Sequence, residues 1–478
     1  MYRTRAYAEL KYAHLLPRAL TVLRSVGESE LIQSWSSLVE ELSAAEPAWS
    51  KILTHYHRFF MLVAENSWSD GIINLVLESD NTFSRYSAQS GADVAGTEPV
   101  LADLAARDLN LLQEISRFTP SRLQALARSR FELTKDEENA SYLSSTPLAP
   151  EHWPHWEQSH ARPDSGLAAA GKNPDRAART SPHNSARLWL KHMRENLYTE
   201  FRQASSWDKA LPALAEYFHH LGFGVCNNFL AFRWRQDHTS PLEGVANPDS
   251  IQLEQLIGLE REKGIVTENT DSFLEGRPAN NIILYGNRGT GKSSMVKALL
   301  QAYASRGLRL VELGKSDLSG FPQAYRLLAD IPLKFIIFID DLSFDETEPE
   351  YKALKTLLEG GLAAKPHNVL IYATSNRRHL VKENFAERQG DEINVRDSME
   401  EKLSLADRFG ITVTFPAPAQ EDYLRIVEGL ALQRNLDINP ADLRQLALRW
   451  EMWHNGRSGR SARQFIDHLT AQLSKHQV

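Results

Sequence analysis

Eight consecutive residues, GNRGTGKS at Gly286–Ser293, have the types and spacing needed to grip a polyphosphate. Gly286, Gly289 and Gly291 let the backbone curl until several amides face inward, toward phosphate oxygens. A helix opening at the end of this loop adds its positive N-terminal end at the same point. Lys292 would reach the β- and γ-phosphates, and Ser293 would ligate Mg²⁺. Asn287, Arg288, Thr290 and Ser294 complete the nucleotide-binding stretch. The alternative is an ordinary glycine-rich turn between a strand and a helix. The apolar run IILY before the loop and the helical pattern after it favour the phosphate reading.

Four further groups could complete a phosphoryl-transfer site. FIIFIDD, Phe335–Asp341, places two carboxylates at the tip of an apolar strand. Asp340 would hold Mg²⁺ through water, and Asp341 would polarise the attacking water. YATSN, Tyr372–Asn376, ends another strand on a neutral amide; Asn376 could orient that water, with Thr374 or Ser375 as substitutes. SLADRFG, Ser404–Gly410, carries Arg408, which could enter a neighbouring subunit's site or pair with Asp407 or Glu401. GRSGRSARQF, Gly456–Phe465, spaces Arg457, Arg460 and Arg463 by three, on one face if the segment is helical. A lid arginine from this group would sense the nucleotide; a basic helix end or a nucleic-acid contact is the alternative.

The elements that must hold these groups are legible from hydrophobic patterning. IILY (282–285), RLVEL (309–313), FIIFID (335–340), VLIYAT (369–374) and ITVTF (411–415) are short apolar runs separated by helical segments, Lys292–Ala304 among them. Such alternation predicts a five-stranded parallel sheet with helices on both faces. Residues 419–478 carry only helical signals and predict a helical lid after the α/β domain at 249–418. Upstream, residues 1–142 read as a helical domain, with segments such as Glu30–Leu42 and Val100–Ile115 and new helices near Pro47 and Pro120. Residues 143–185 have linker composition, and 186–248 read as a helical and strand connecting region. His55 and His57 lie two apart and face different sides of a helix, which argues against a metal pair.

The 478 residues are 42% hydrophobic and 24% charged, a globular balance. With 54 Lys+Arg against 61 Asp+Glu, the net charge of −7 argues against a DNA-coating protein, though not against a local basic patch. No apolar run reaches transmembrane length, so no membrane partner is expected. MYRTRAYAEL lacks the apolar core of a signal peptide, and Cys226 is the only cysteine; both fit a cytoplasmic protein.

In this order the five motifs resemble the AAA+ superfamily, and the stretch from about Asp249 to Ile466 is similar to a bacterial AAA+ family of unknown function. The resemblance implies an ATPase with ATP and Mg²⁺ as cofactors, Ile257 and Gly258 against the adenine, and Arg408 as a finger acting in trans. It implies a homo-oligomer, a ring of about six. The macromolecular substrate, protein or nucleic acid, is left open. One departure concerns the second Walker carboxylate, usually Glu in AAA+ motors and here Asp341, one methylene shorter. A nucleotide-gated scaffold with negligible turnover is therefore a rival to an ATPase that remodels a macromolecule. A DNA-associated loader using Arg457, Arg460, Arg463, Arg377 and Arg378 is another. Other P-loop classes fit less well: no Asn-Lys-x-Asp guanine motif follows, and LSGFPQ (318–323) only partly matches the ABC signature. That segment reads as a loop after the second strand, with Phe321 either a pore-facing aromatic or a buried one.

Overall fold

The computed structural model describes residues 2–64, 67–91, 98–133, 149–153, 185–236, 240–343, 354–355, 358, 366–376, 408–453 and 456–476. Contacts divide it into two units, residues 1–180 with 191–228 and residues 181–190 with 229–478.

The first unit is helical among its described residues. Glu30–Leu42 begins where Ser29 Oγ accepts from the Ile32 amide, a side-chain cap that satisfies an orphan donor. Its Ile32, Trp35, Leu38, Val39 and Leu42 recur at helical spacing and are fully buried. Thr82–Ser90 starts with a reciprocal capping box between Asn81 and Ser84. Trp35 stacks on Trp68 at 6.3 Å between ring centroids, and Phe59 meets Trp68 edge-on at 5.0 Å. Buried Asp108 accepts from the backbone amides of Thr21 and Leu23, each at 2.9 Å, and so is satisfied. Pro120 opens a helix, Pro120–Leu133, as its fixed φ favours. His55 and His57 sit on the helix Trp49–Val63, and no metal-binding cluster is present among the described residues. Of the stretch expected to be a linker, residues 143–148 and 154–184 lie outside the described residues. Trp153 is buried against Tyr56, ring centroids 4.5 Å apart, and Gln124 Nε2 donates to the Pro150 carbonyl at 2.8 Å.

The second unit carries the sheet. Its strands are β1 (Ala231–Trp234), β2 (Leu242–Gly244), β3 (Ile282–Gly286), β4 (Leu308–Glu312), β5 (Lys334–Ile339), β6 (Val369–Ser375) and β7 (Ile411–Phe415). Their order is β2-β1-β4-β5-β6-β3-β7, all parallel except the antiparallel β1–β2 pair. The sequence led to five strands; the described residues form seven. The two additions, β1 and β2, come from the stretch read as a connecting region and extend the sheet beyond β4. They are short and partly exposed, so they lack the continuous apolar signature of the five inner strands.

Strand β6 is buried at every position and β5 at all but Lys334, as a sheet covered on both faces requires. The helices around it are α1 (Glu260–Leu274), α2 (Lys292–Tyr303) and α3 (Phe321–Ala329). Met295, Val296, Leu299 and Leu300 of α2 share one core with Ile282, Leu284, Ile336 and Phe338. Each such side chain contributes roughly 1.5–3 kcal/mol by leaving water. The lid, α4 (Gln420–Gln433), α5 (Pro440–Trp453) and α6 (Gly459–His476), has its own core around Tyr423, Val427, Ala447 and Ile466. The second unit thus combines a mostly parallel sheet, a glycine-rich loop after an inner strand and a helical lid.

LSGFPQ is not a loop. Lys315–Gly320 forms a 3-10 turn and Phe321 opens α3, with Pro322 in its first turn. Phe321 is 2% exposed and packs on Tyr325 at 4.7 Å, so it is a core residue rather than a pore-facing aromatic.

Candidate functional site

Strand order brings the motifs together. β6, late in sequence, lies between β3 and β5, so the end of the YATSN strand falls between the glycine loop and the twin aspartates. These strand ends sit at the carboxyl edge of the sheet, where open α/β sheets bind ligands.

The loop's conformation requires its glycines. Gly286, Gly289 and Gly291 have φ of 151°, 79° and 102°. A Cβ on Gly286 would lie 2.0 Å from the Phe415 carbonyl oxygen on the adjacent strand. Backbone cannot move aside for it, so Gly286→Ala should destabilise the unit by about 4 kcal/mol, at the severe end for a single change. A drop in the thermal unfolding midpoint measures this; an unchanged midpoint would mean that β3 and β7 can separate there.

Lys292, the first residue of α2, is 6% exposed. Its Nζ donates to the carbonyls of Gly286 (2.8 Å) and Asn287 (2.9 Å) and to Asn376 Oδ1 (2.9 Å). Burial lowers its pKa; Asp340 and Asp341 oppose that shift, and Arg460 and Arg288 add to it. Asn376 faces both ways, its Nδ2 donating to Asp341 Oδ1 at 2.5 Å. Ser293 Oγ donates to Asp340 Oδ1 at 2.6 Å, and Thr374 Oγ1 donates to the same oxygen at 2.5 Å. Hydroxyl and carboxylate oxygens converging beside the loop are the hard donor set that Mg²⁺ takes, so Ser293 and Asp340 fit that ion. Asp341 has a φ of 52°, left-handed for a non-glycine. Its amide donates to Thr374 Oγ1 at 2.9 Å, and its carboxylate is exposed. Of the three polar residues at and just after the end of β6, Asn376 thus touches Lys292 and Asp341, while Thr374 braces both aspartates.

Above these groups lies a cleft of about 570 Å³, a size suited to a nucleotide. Arg288, Gly289, Thr290, Gly291, Lys292, Ser293 and Ser294 line its floor with Asp340, Asp341, Thr374 and Asn376. Ile257 and Gly258 also line the cleft, and Ile257 packs on the lid. Gly286 and Asn287 support the floor through their carbonyl bonds to Lys292 without lining the cleft.

The lid closes the remaining side. Arg460 and Arg463 both line the cleft, and the Arg460 amide donates to the Gly289 carbonyl at 3.2 Å. Arg457 does not share their face. The helix starts only at Gly459, and Arg457 pairs with Glu451 at 2.9 Å. The sequence offered no signal for Pro416–Pro418, Asp422, Ile426, Leu430, Gln464 or Asp467, which also line the cleft. Helical periodicity gives a lid its apolar core but does not identify the residues that turn toward a ligand.

Arg408 precedes β7 and does not line this cleft. The carboxylates considered as its partners, Glu401 and Asp407, lie outside the described residues, as do Arg377 and Arg378. No described helix is long and apolar enough to cross a membrane.

The family described as "Protein of unknown function (DUF815)" matches residues 227–473, just over half of the chain, and takes in the whole cleft. Among solved structures, RuvB from Thermotoga maritima, described as a Holliday junction branch migration motor, is similar. It is 14% identical with a TM-score of 0.33, covering 48% of this chain and 67% of that one. A point variant of the same protein gives 14%, the same two shares and a TM-score of 0.34. No curated protein matches the chain.

Proposed function

The chain belongs to the DUF815 family and has an AAA+ ATPase-like fold, and on that footing we propose that its cleft binds Mg-ATP and hydrolyses it. The observation that supports this best is the relay Lys292–Asn376–Asp341, which links the phosphate-facing cation to the carboxylate beside the attack position. Arg288, Lys292 and the lid arginines offset phosphate charge, and the inward loop amides hold the β- and γ-oxygens. Ser293 and Asp340 would hold Mg²⁺, which would supply positive charge to offset that of the phosphates. Asn376 orients a water on the γ-phosphate. Asp341 then accepts its proton as phosphorus–oxygen bond formation proceeds, and the β–γ bridging bond breaks to leave ADP and phosphate.

The short carboxylate does not disqualify Asp341. Its left-handed backbone and the bonds to Thr374 and Asn376 hold it toward the cleft. Asp341→Asn should keep Mg-ATP binding but lower turnover about a hundredfold, because an amide accepts no proton. Phosphate release beside a binding titration checks this; wild-type turnover in that variant would remove Asp341 from the mechanism.

The same reading includes assembly as an ATP-promoted homo-oligomer, a ring of about six, with Arg408 acting on a neighbour's site. Its position before β7 and outside its own cleft supports action in trans. Turnover would be spent on remodelling a macromolecular partner, protein or nucleic acid. The rivals are a scaffold that binds without hydrolysis and a loader on DNA. Arg457, one of the loader's phosphate contacts, is occupied by Glu451, which weakens that rival.

A further inference from the structure

We propose that Asp467 reads the ribose of the bound nucleotide and makes this site selective for ribonucleotides; this rests on the nucleotide reading of the cleft. Arg460, Arg463, Gln464 and Asp467 all line the cleft, at spacings of three, four and seven along α6. That is one helix face. Its charges are ordered, with cations at the start and a carboxylate two turns on.

The helix is fixed at both ends of the cleft. At its start, the Arg460 amide bonds the Gly289 carbonyl of the phosphate loop. Further along, Asp467 pairs with Arg434, which follows the end of α4. Gln433 of α4 donates to the Glu254 carbonyl at 3.0 Å, immediately before the cleft-lining segment that begins at Gln255. Through Arg434 and the end of α4, Asp467 is thus tied to the segment that leads into Ile257 and Gly258, while Arg460 is tied to the phosphate loop. Seven residues at a 1.5 Å rise separate Asp467 from Arg460 by about 10 Å, enough to pass the triphosphate and reach the sugar.

A carboxylate is an acceptor only, and the ribose 2′- and 3′-hydroxyls are donors. Beside the phosphates Asp467 would repel the ligand; beside the sugar it meets two neutral donors. Its pairing with Arg434 fixes one oxygen and leaves the other for a hydroxyl. A charge-assisted bond of this kind, on a half-exposed side chain, predicts about a tenfold preference for ATP over its deoxy analogues.

The test is a competition titration on the full chain, displacing a γ-phosphate-labelled fluorescent ATP with ATP, 2′-deoxy-ATP or 3′-deoxy-ATP. The wild-type chain should bind ATP about ten times more tightly than at least one deoxy analogue. In Asp467→Asn that preference should shrink to near unity through weaker ATP binding, with deoxy binding unchanged. Arg434→Gln, which removes the pairing but keeps the carboxylate, should retain a preference. Equal binding of all three nucleotides by the wild-type chain, or a full preference persisting in Asp467→Asn, overturns the proposal and leaves the ATPase reading intact. No displacement by any nucleotide overturns both.

Discussion

Lys292→Ala should weaken ATP binding about a thousandfold, since the ammonium supplies at least two charge-assisted bonds to phosphate oxygens. In the structure Lys292 Nζ is buried and satisfied by two loop carbonyls and Asn376. Those are neutral acceptors, and an incoming phosphate is a stronger one. Burial lowers the Lys292 pKa, so the charged form gains when a polyanion arrives. Alanine leaves the carbonyls of Gly286 and Asn287 facing the phosphates, which adds repulsion to the lost attraction. The fold should survive, because Lys292 is at the start of α2 and contributes no side chain to the sheet core. A calorimetric or fluorescence titration measures the loss. Wild-type affinity in the variant would end the phosphate-loop assignment.

Arg408→Lys should bind ATP normally and lose turnover about a thousandfold, the range associated with a trans-acting arginine. A guanidinium offers a planar fork of donors to developing phosphate charge, and an ammonium cannot copy that geometry. Mixing this variant with Lys292→Ala should restore part of the activity. Each Arg408→Lys subunit retains an intact Lys292 and can receive Arg408 from its neighbour. Light scattering with and without ATP follows assembly in parallel. Full hydrolysis by a strict monomer, or by Arg408→Lys itself, would rule out action in trans.

What the sequence made legible divides along physical lines. The glycine loop and the twin aspartates are local chemistry, written in consecutive residues, and the structure places them together at the carboxyl edge of the sheet. The five inner strands were visible because burial on both faces makes them continuously apolar. Around β1 the sequence showed strand character but not membership of this sheet, because a short outer pair needs no long apolar run. The Asn376 relay depends on β6 entering between β3 and β5, and sequence order does not encode that insertion. Choosing between Arg460 and Arg463 depends on how α6 docks. Both reach the cleft, with Arg460 bound to the loop through its amide. Phe321 illustrates the converse, a residue whose position suggested a functional loop but which α3 places in the core. Asp467 belongs to no motif and acquires meaning only from the charge order of a helix face.

The central claim, Mg-ATP turnover in this cleft, is tested most directly by steady-state phosphate release from the full chain at saturating ATP. The account predicts saturable release that requires Mg²⁺, stops on chelation, and falls about a hundredfold in Asp341→Asn while that variant still binds ATP. Release from the wild-type chain no faster than from Asp341→Asn, at equal nucleotide occupancy, would contradict it and leave the cleft as the binding site of a scaffold.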